Sequence, residues 1–108
     1  MHDDALVLVY CPWPNLGEAK RLGHAFLAAR LAGCINILPQ MVSLYEWQGN
    51  REEAEEAVLI AKTTVAKAQE LRTVLISEHP YDLPAILVIE LADVNAPYRD
   101  WLLERLQA

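Results

Sequence analysis

The amino-acid sequence predicts an α+β sandwich, an antiparallel sheet with helices on one face. Three observations carry this. Apolar, β-rich runs alternate with helical spacings in the order β-α-β-β-α-β-α. A polar tip, Gln48-Gly49-Asn50-Arg51, joins the second and third strands. The length of 108 residues suits a single domain spanning 1–108.

Ala5 to Tyr10 is short and apolar and reads as a buried strand. Cys11-Pro12-Trp13-Pro14-Asn15 is expected to end it, because proline cannot donate to a ladder. Glu18 to Leu31 has helical spacing, with Leu22, Phe26 and Ala29 on one stripe and Gly33 as a C-terminal cap. Cys34 to Trp47 is a second strand region, interrupted at Pro39 and Gln40 by a bulge or bend. After the tip comes an acidic run, Glu52, Glu53, Glu55 and Glu56, and then a third strand from Ala57 to Lys62. Thr63 or Thr64 caps the next helix, which stops before Pro80. Ile86 to Leu91 forms the fourth strand. Asn95 caps a last helix that has Pro97 in its first turn. Two split β-α-β units with right-handed crossovers make this a ferredoxin-like fold with an added C-terminal helix. That helix can cover the sheet edge or pack on a neighbouring subunit.

Bulk properties narrow the function. The net charge of −6 argues against nucleic acid and against anionic membranes, and it is compatible with a cation as ligand. Hydrophobic residues make up 54% of a short chain, which points to a buried subunit interface. No apolar run approaches the roughly 20 residues of a membrane span. The acidic start, Met1-His2-Asp3-Asp4, lacks the basic region of a signal peptide, so a cytoplasmic setting is expected. Two cysteines make no disulfide framework. Cys34 lies in an apolar segment and reads as an inert buried thiol, whereas Cys11 sits at a strand end.

His79-Pro80-Tyr81-Asp82-Leu83-Pro84 places an imidazole, a phenol and a carboxylate in a loop stiffened by two prolines. With the first strand between the third and fourth, the end of strand one lies beside this loop. Cys11 and His79 then meet near one rim of the sheet, with Trp47 and the acidic hairpin toward the same end. A thiol with an imidazole suits copper or another borderline-to-soft metal, although two donors leave a site incomplete. The same pair can be read as nucleophile and base, but no orienting group or oxyanion donor is evident. His2 belongs to the terminus, and His24 reads as a solvated helix residue. Lys62 ends an apolar strand before Thr63-Thr64. It either reaches water or helps hold an anion at the helix start. Trp47, Trp101 and Tyr98 fit a core or an interface better than a ligand pocket.

Five blocks carry a family resemblance: Cys34-Ile35-Asn36-Ile37, Ser43 to Gly49, Leu59 to Thr64, His79 to Pro84, and Tyr98-Arg99-Asp100-Trp101-Leu102. In order and spacing the chain resembles the CutA divalent-cation tolerance family, from about Leu6 to Leu106. The resemblance implies a tight homotrimer like that of the PII signalling proteins, and a role in tolerance of copper and other divalent cations rather than an enzyme. It implies no required cofactor, with a divalent cation such as copper as the possible ligand. Cys11 and His79 match metal ligands proposed for the family. The position that often supplies a carboxylate is Ala85 here, so Asp82 or a hairpin glutamate would have to substitute. A second implied reading is a PII-like regulatory module that binds a small anion between subunits, with Lys62, Tyr81 and Trp47 as candidate contacts.

Overall fold

The structure is a computed structural model and describes residues 4–107. His2 therefore lies outside the described residues. Seven elements follow the expected order: β1 (Leu6–Trp13), α1 (Leu16–Ala28), β2 (Cys34–Trp47), β3 (Asn50–Thr64), α2 (Val65–Glu78), β4 (Leu87–Glu90) and α3 (Ala96–Leu106). The four strands form one antiparallel sheet in the order β2-β3-β1-β4. The first strand thus lies between the third and fourth, as expected.

Alternation along β1 separates the two faces of this sheet. Val7, Val9, Cys11 and Trp13 point into the core. Their ladder partners Ala61, Leu59 and Ala57 lie on the same side. Leu22 and Phe26 of α1 and Leu71 and Leu75 of α2 complete that core. The other face carries Leu8, Tyr10, Ile60, Leu87 and Ile89, in register across the strands. Lys67, at the start of α2, donates its ammonium to the Arg30 and Leu106 carbonyls at 2.7 Å each. One cation thereby holds chain segments that follow α1 and end α3.

Several boundaries differ from expectation, each for a physical reason. β1 does not end at Cys11; it continues through Pro12 to Trp13. A strand residue's N–H and C=O point to the same edge. The Pro12 carbonyl faces away from β3, toward His79, so the missing N–H costs the β1–β3 ladder nothing. β3 begins at Asn50 rather than Ala57, because the acidic run pairs residue for residue with the apolar end of β2. α1 starts at Leu16, where the Asn15 side chain accepts the Glu18 N–H at 2.9 Å, and ends at Ala28. The chain then turns through Arg30 at φ 57°. Gly33 is consequently no helix cap. β4 is trimmed to Leu87–Glu90. Asn95 holds the N-cap position of α3 without a side-chain hydrogen bond. Two local readings hold: Thr64 caps α2, and β2 has a register shift between Leu38 and Met41.

Beyond the Trp13–Ala57 pair the hairpin leaves the sheet. Met41–Trp47 and Asn50–Glu56 continue as a two-stranded ribbon, which stretches the subunit to 45 × 27 × 22 Å. Gln48 at φ 51° and Gly49 at φ 83° close it in a tight turn with both central residues left-handed.

Gly33 occupies a place where only a hydrogen fits. Its N–H donates to the Lys62 carbonyl at 2.9 Å, and an added Cβ would lie 2.6 Å from Leu102 Cδ1 and 3.0 Å from the Leu102 oxygen. Gly33→Ala should therefore push α3 off the end of the sheet and cost about 1–3 kcal/mol of stability. Urea unfolding followed by far-UV circular dichroism measures this, and a midpoint equal to the parent's would show that α3 yields freely.

Candidate functional site

The carbonyl of Pro12 is where the loop after α2 meets the first strand. β4 pairs with β1 only from Val7 to Tyr10, so the β1 edge beyond Tyr10 has no strand beside it. The His79 loop takes that place. His79 Nε2 lies 2.7 Å from the Pro12 oxygen, and Nδ1 lies 3.2 Å from the Tyr81 backbone N. A carbonyl can only accept and an amide N–H can only donate. The ring therefore carries its proton on Nε2 and accepts at Nδ1, and both nitrogens are engaged.

The aromatic surroundings fix the ring plane. Trp13 stacks on His79 with centroids 4.2 Å apart, and the Tyr81 ring is tilted at 52° to the imidazole with centroids 4.6 Å apart. The Tyr81 hydroxyl donates to Glu56 Oε2 at 2.9 Å. Glu56 is a buried carboxylate at the base of the ribbon. The loop, β1 and the ribbon are thus joined through Pro12, Trp13, His79, Tyr81 and Glu56. Burial pushes the Tyr81 hydroxyl well above the usual tyrosine range, and the bond to Glu56 adds to the effect. The Trp13 indole N–H is buried without a hydrogen-bond partner.

Cys11 is fully buried, and its thiol lies 3.8 Å from the Pro12 oxygen. Burial pushes the thiol up to about 12, and the Glu56 charge acts in the same direction. Near neutral pH this is a protonated, shielded thiol and a poor nucleophile. The two cysteines exchange the characters assigned from sequence. Cys34 is the half-exposed one, and it faces the other side of the sheet beside Lys62.

The structure brings Cys11, His79 and Tyr81 together, as the threading argument requires. It does not bring Trp47 or Lys62 to them. Trp47 pairs with Asn50 at the far end of the ribbon. Lys62 pairs with Leu8 and Cys34, opposite in facing to Cys11, and donates to the Tyr98 hydroxyl at 3.0 Å. Asp82 and His24 are exposed. Among the described residues, no group of three or more His, Cys, Asp or Glu side chains is arranged to hold a metal ion. Sequence reasoning missed Trp13 and Glu56. Trp13 continues the inward alternation Val7-Val9-Cys11, which was a usable signal hidden by the two flanking prolines.

Comparison with known proteins agrees with this architecture. The family described as CutA1 divalent ion tolerance protein matches residues 7–105. A divalent-cation tolerance protein CutA from Escherichia coli is 39% identical, over 91% of this chain and 88% of that protein. Similar solved structures include CutA from Synechococcus elongatus, at 36% identity and TM-score 0.90, covering 99% of this chain and 95% of that one. Another is described as a periplasmic divalent cation tolerance protein CutA from Archaeoglobus fulgidus, at 32% identity and TM-score 0.89, covering 94% and 99%. With its sheet order, its projecting ribbon and a family match over nearly its whole length, this chain belongs to the CutA1 divalent ion tolerance protein family.

Proposed function

We propose that the chain works as a homotrimeric divalent-cation tolerance protein, with the assembly rather than the single subunit as the active unit. The ribbon carries this reading. A lone two-stranded hairpin is marginal in water. Yet this one projects about 23 Å, at 3.3 Å per residue, with Val42 60%, Leu44 67% and Trp47 40% exposed. At the opposite edge every residue of β4 is exposed, including Leu87, Val88 and Ile89. Two open edges with apolar side chains invite pairing with other chains. Copies of the same chain supply matching ribbons and edges, and the three-fold count follows from the family resemblance. No helix among the described residues is long and apolar enough to cross a membrane. Two free thiols on opposite faces suit a reducing compartment, which supports a cytoplasmic setting.

Copper at Cys11 and His79 meets a poor donor set in this arrangement. A metal takes a thiolate and a free imidazole lone pair. Here the thiol is held protonated, Nδ1 accepts from the backbone of Tyr81, and Nε2–H is committed to Pro12. Ala85 offers no side-chain donor. The pair is better explained as a tie between loop and strand. The same facts disfavour catalysis, since no hydrogen bond links the thiol to the imidazole.

Three outcomes test these readings. Trp47→Ala should weaken the assembly at least about tenfold in dissociation constant, as loss of a central interface aromatic does. Sedimentation equilibrium reads this, and an unchanged constant would place Trp47 outside the interface. Copper titration should give equal affinities for the parent and Cys11→Ala; a large loss in the variant would restore Cys11 as a ligand. Cys11 also makes a pH prediction. Its folded value of about 12 lies above the ordinary 9.0, so between these pH values the unfolded chain releases a proton that the folded chain keeps. Stability from this group is full below pH 9.0 and is lost as pH rises toward about 12. The alkaline loss should be smaller in Cys11→Ala, measured by denaturant midpoints across that range.

A further inference from the structure

Where the ribbon leaves the sheet, the backbone ladder gives it little direction. β1 pairs with β3 only as far as Trp13 and Ala57, and β2 changes register across Pro39 and Gln40 at the same level. Gln40 is left-handed there, at φ 59°. An irregularity of this kind leaves residues unpaired and bends the strand. The junction is therefore a hinge between the sheet and a two-stranded arm.

Side chains hold what the ladder does not. Among the described residues, two side-chain hydrogen bonds run from the rest of the subunit to the arm. Tyr10 donates to the Met41 sulfur, a weak acceptor, at 3.4 Å. Tyr81 donates to Glu56 Oε2 at 2.9 Å, and a charged acceptor makes this the stronger bond. Glu56 is the first residue of the arm beyond Ala57, and of the four glutamates in the acidic run it alone is buried. A buried carboxylate is costly without a donor. Here the donor comes from the His79 loop, and the backbone of Tyr81 is itself fixed through the imidazole to Pro12. Removing the phenol oxygen leaves a charge that regains solvation only by turning to water, which carries the arm with it.

Small angles matter on a long arm. At 3.3 Å per residue, 41–47 spans about 23 Å, so a swing of ~10° at the hinge carries Trp47 about 4 Å. Apolar contacts are lost beyond about 4.5 Å, so such a swing takes the tip out of any packed interface.

We propose that the Tyr81–Glu56 hydrogen bond aims the ribbon, so that the His79 loop governs how tightly copies of this chain associate. This rests on the assembly reading above and adds to it a positioning pair outside the apolar contact surface. Because coupling is reciprocal, association also holds the loop in place.

Sedimentation equilibrium of the full chain, with peptide-resolved hydrogen exchange on the same samples, tests the proposal. Tyr81→Phe should weaken association about tenfold, as expected when a buried charge loses its donor. Glu56→Gln keeps a neutral acceptor and should lose only several-fold. The two substitutions together should cost little more than Tyr81→Phe alone, since each removes the same bond. Amides of 41–56 should exchange faster in Tyr81→Phe, while those of α1 and α2 keep the parent's protection. An unchanged dissociation constant in Tyr81→Phe would overturn the proposal and leave the assembly reading standing. Losses that multiply in the double variant would also overturn it, by showing that the two residues act separately. Equal loss of protection in α1 and α2 would reduce the bond to a general structural contact and refute it. A parent that sediments as a single subunit would remove the assembly reading and this inference together. Should Tyr81→Phe fail to fold, Glu56→Gln decides: an unchanged constant in that variant refutes the pair.

Discussion

The hydrogen bond from His79 to the Pro12 carbonyl is the constraint on which the rim of this molecule depends. β4 is too short to cover the outer edge of β1. The imidazole stands in for the missing strand at 2.7 Å. Because its second nitrogen accepts from Tyr81, one ring fixes both the edge it covers and the loop it belongs to. Trp13 stacks on the ring, Tyr81 tilts against it, and Tyr81 reaches the ribbon through Glu56. A proline in a central strand is tolerated for the same reason, since its absent donor faces a residue that needs only its carbonyl.

The sheet is asymmetric in what its faces do. One face is a conventional core under α1 and α2, closed by Val7, Val9, Leu59, Phe26 and Leu71. The other is apolar but uncovered by those helices, and it carries the Lys62–Tyr98 group near one end. With the ribbon, this face leaves much apolar side chain exposed on the single subunit, including Val42, Leu44, Leu87 and Ile89.

Element order, strand order and the approach of the His79 loop to the first strand were legible because they follow from hydrophobic runs and crossover rules. The bulge at Pro39-Gln40 and the cap at Thr64 were legible because each rests on local chemistry. The extent of β3 was not. Four glutamates in five residues look like loop until the apolar partners on β2 are known to lie opposite. The contrast between Cys11 and Cys34 was hidden for a related reason. Local hydrophobicity ranks the thiols one way, but burial depends on which face each takes, and Cys11 shares the parity of Val7 and Val9. The protonation of His79 could not be read either, because its partners are a carbonyl in a distant strand and an amide two residues on.

The register shift at Pro39 and Gln40 has a geometric consequence for the whole arm. Before it, Cys34, Asn36 and Leu38 share a side of β2; after it, Met41, Ser43, Tyr45 and Trp47 take that side. One supernumerary residue swaps odd for even. A strand that kept strict alternation through Pro39 and Gln40 would instead put Val42 and Leu44, not Tyr45 and Trp47, on that side. The identity of what this arm meets is set by a count of residues before it is set by their chemistry.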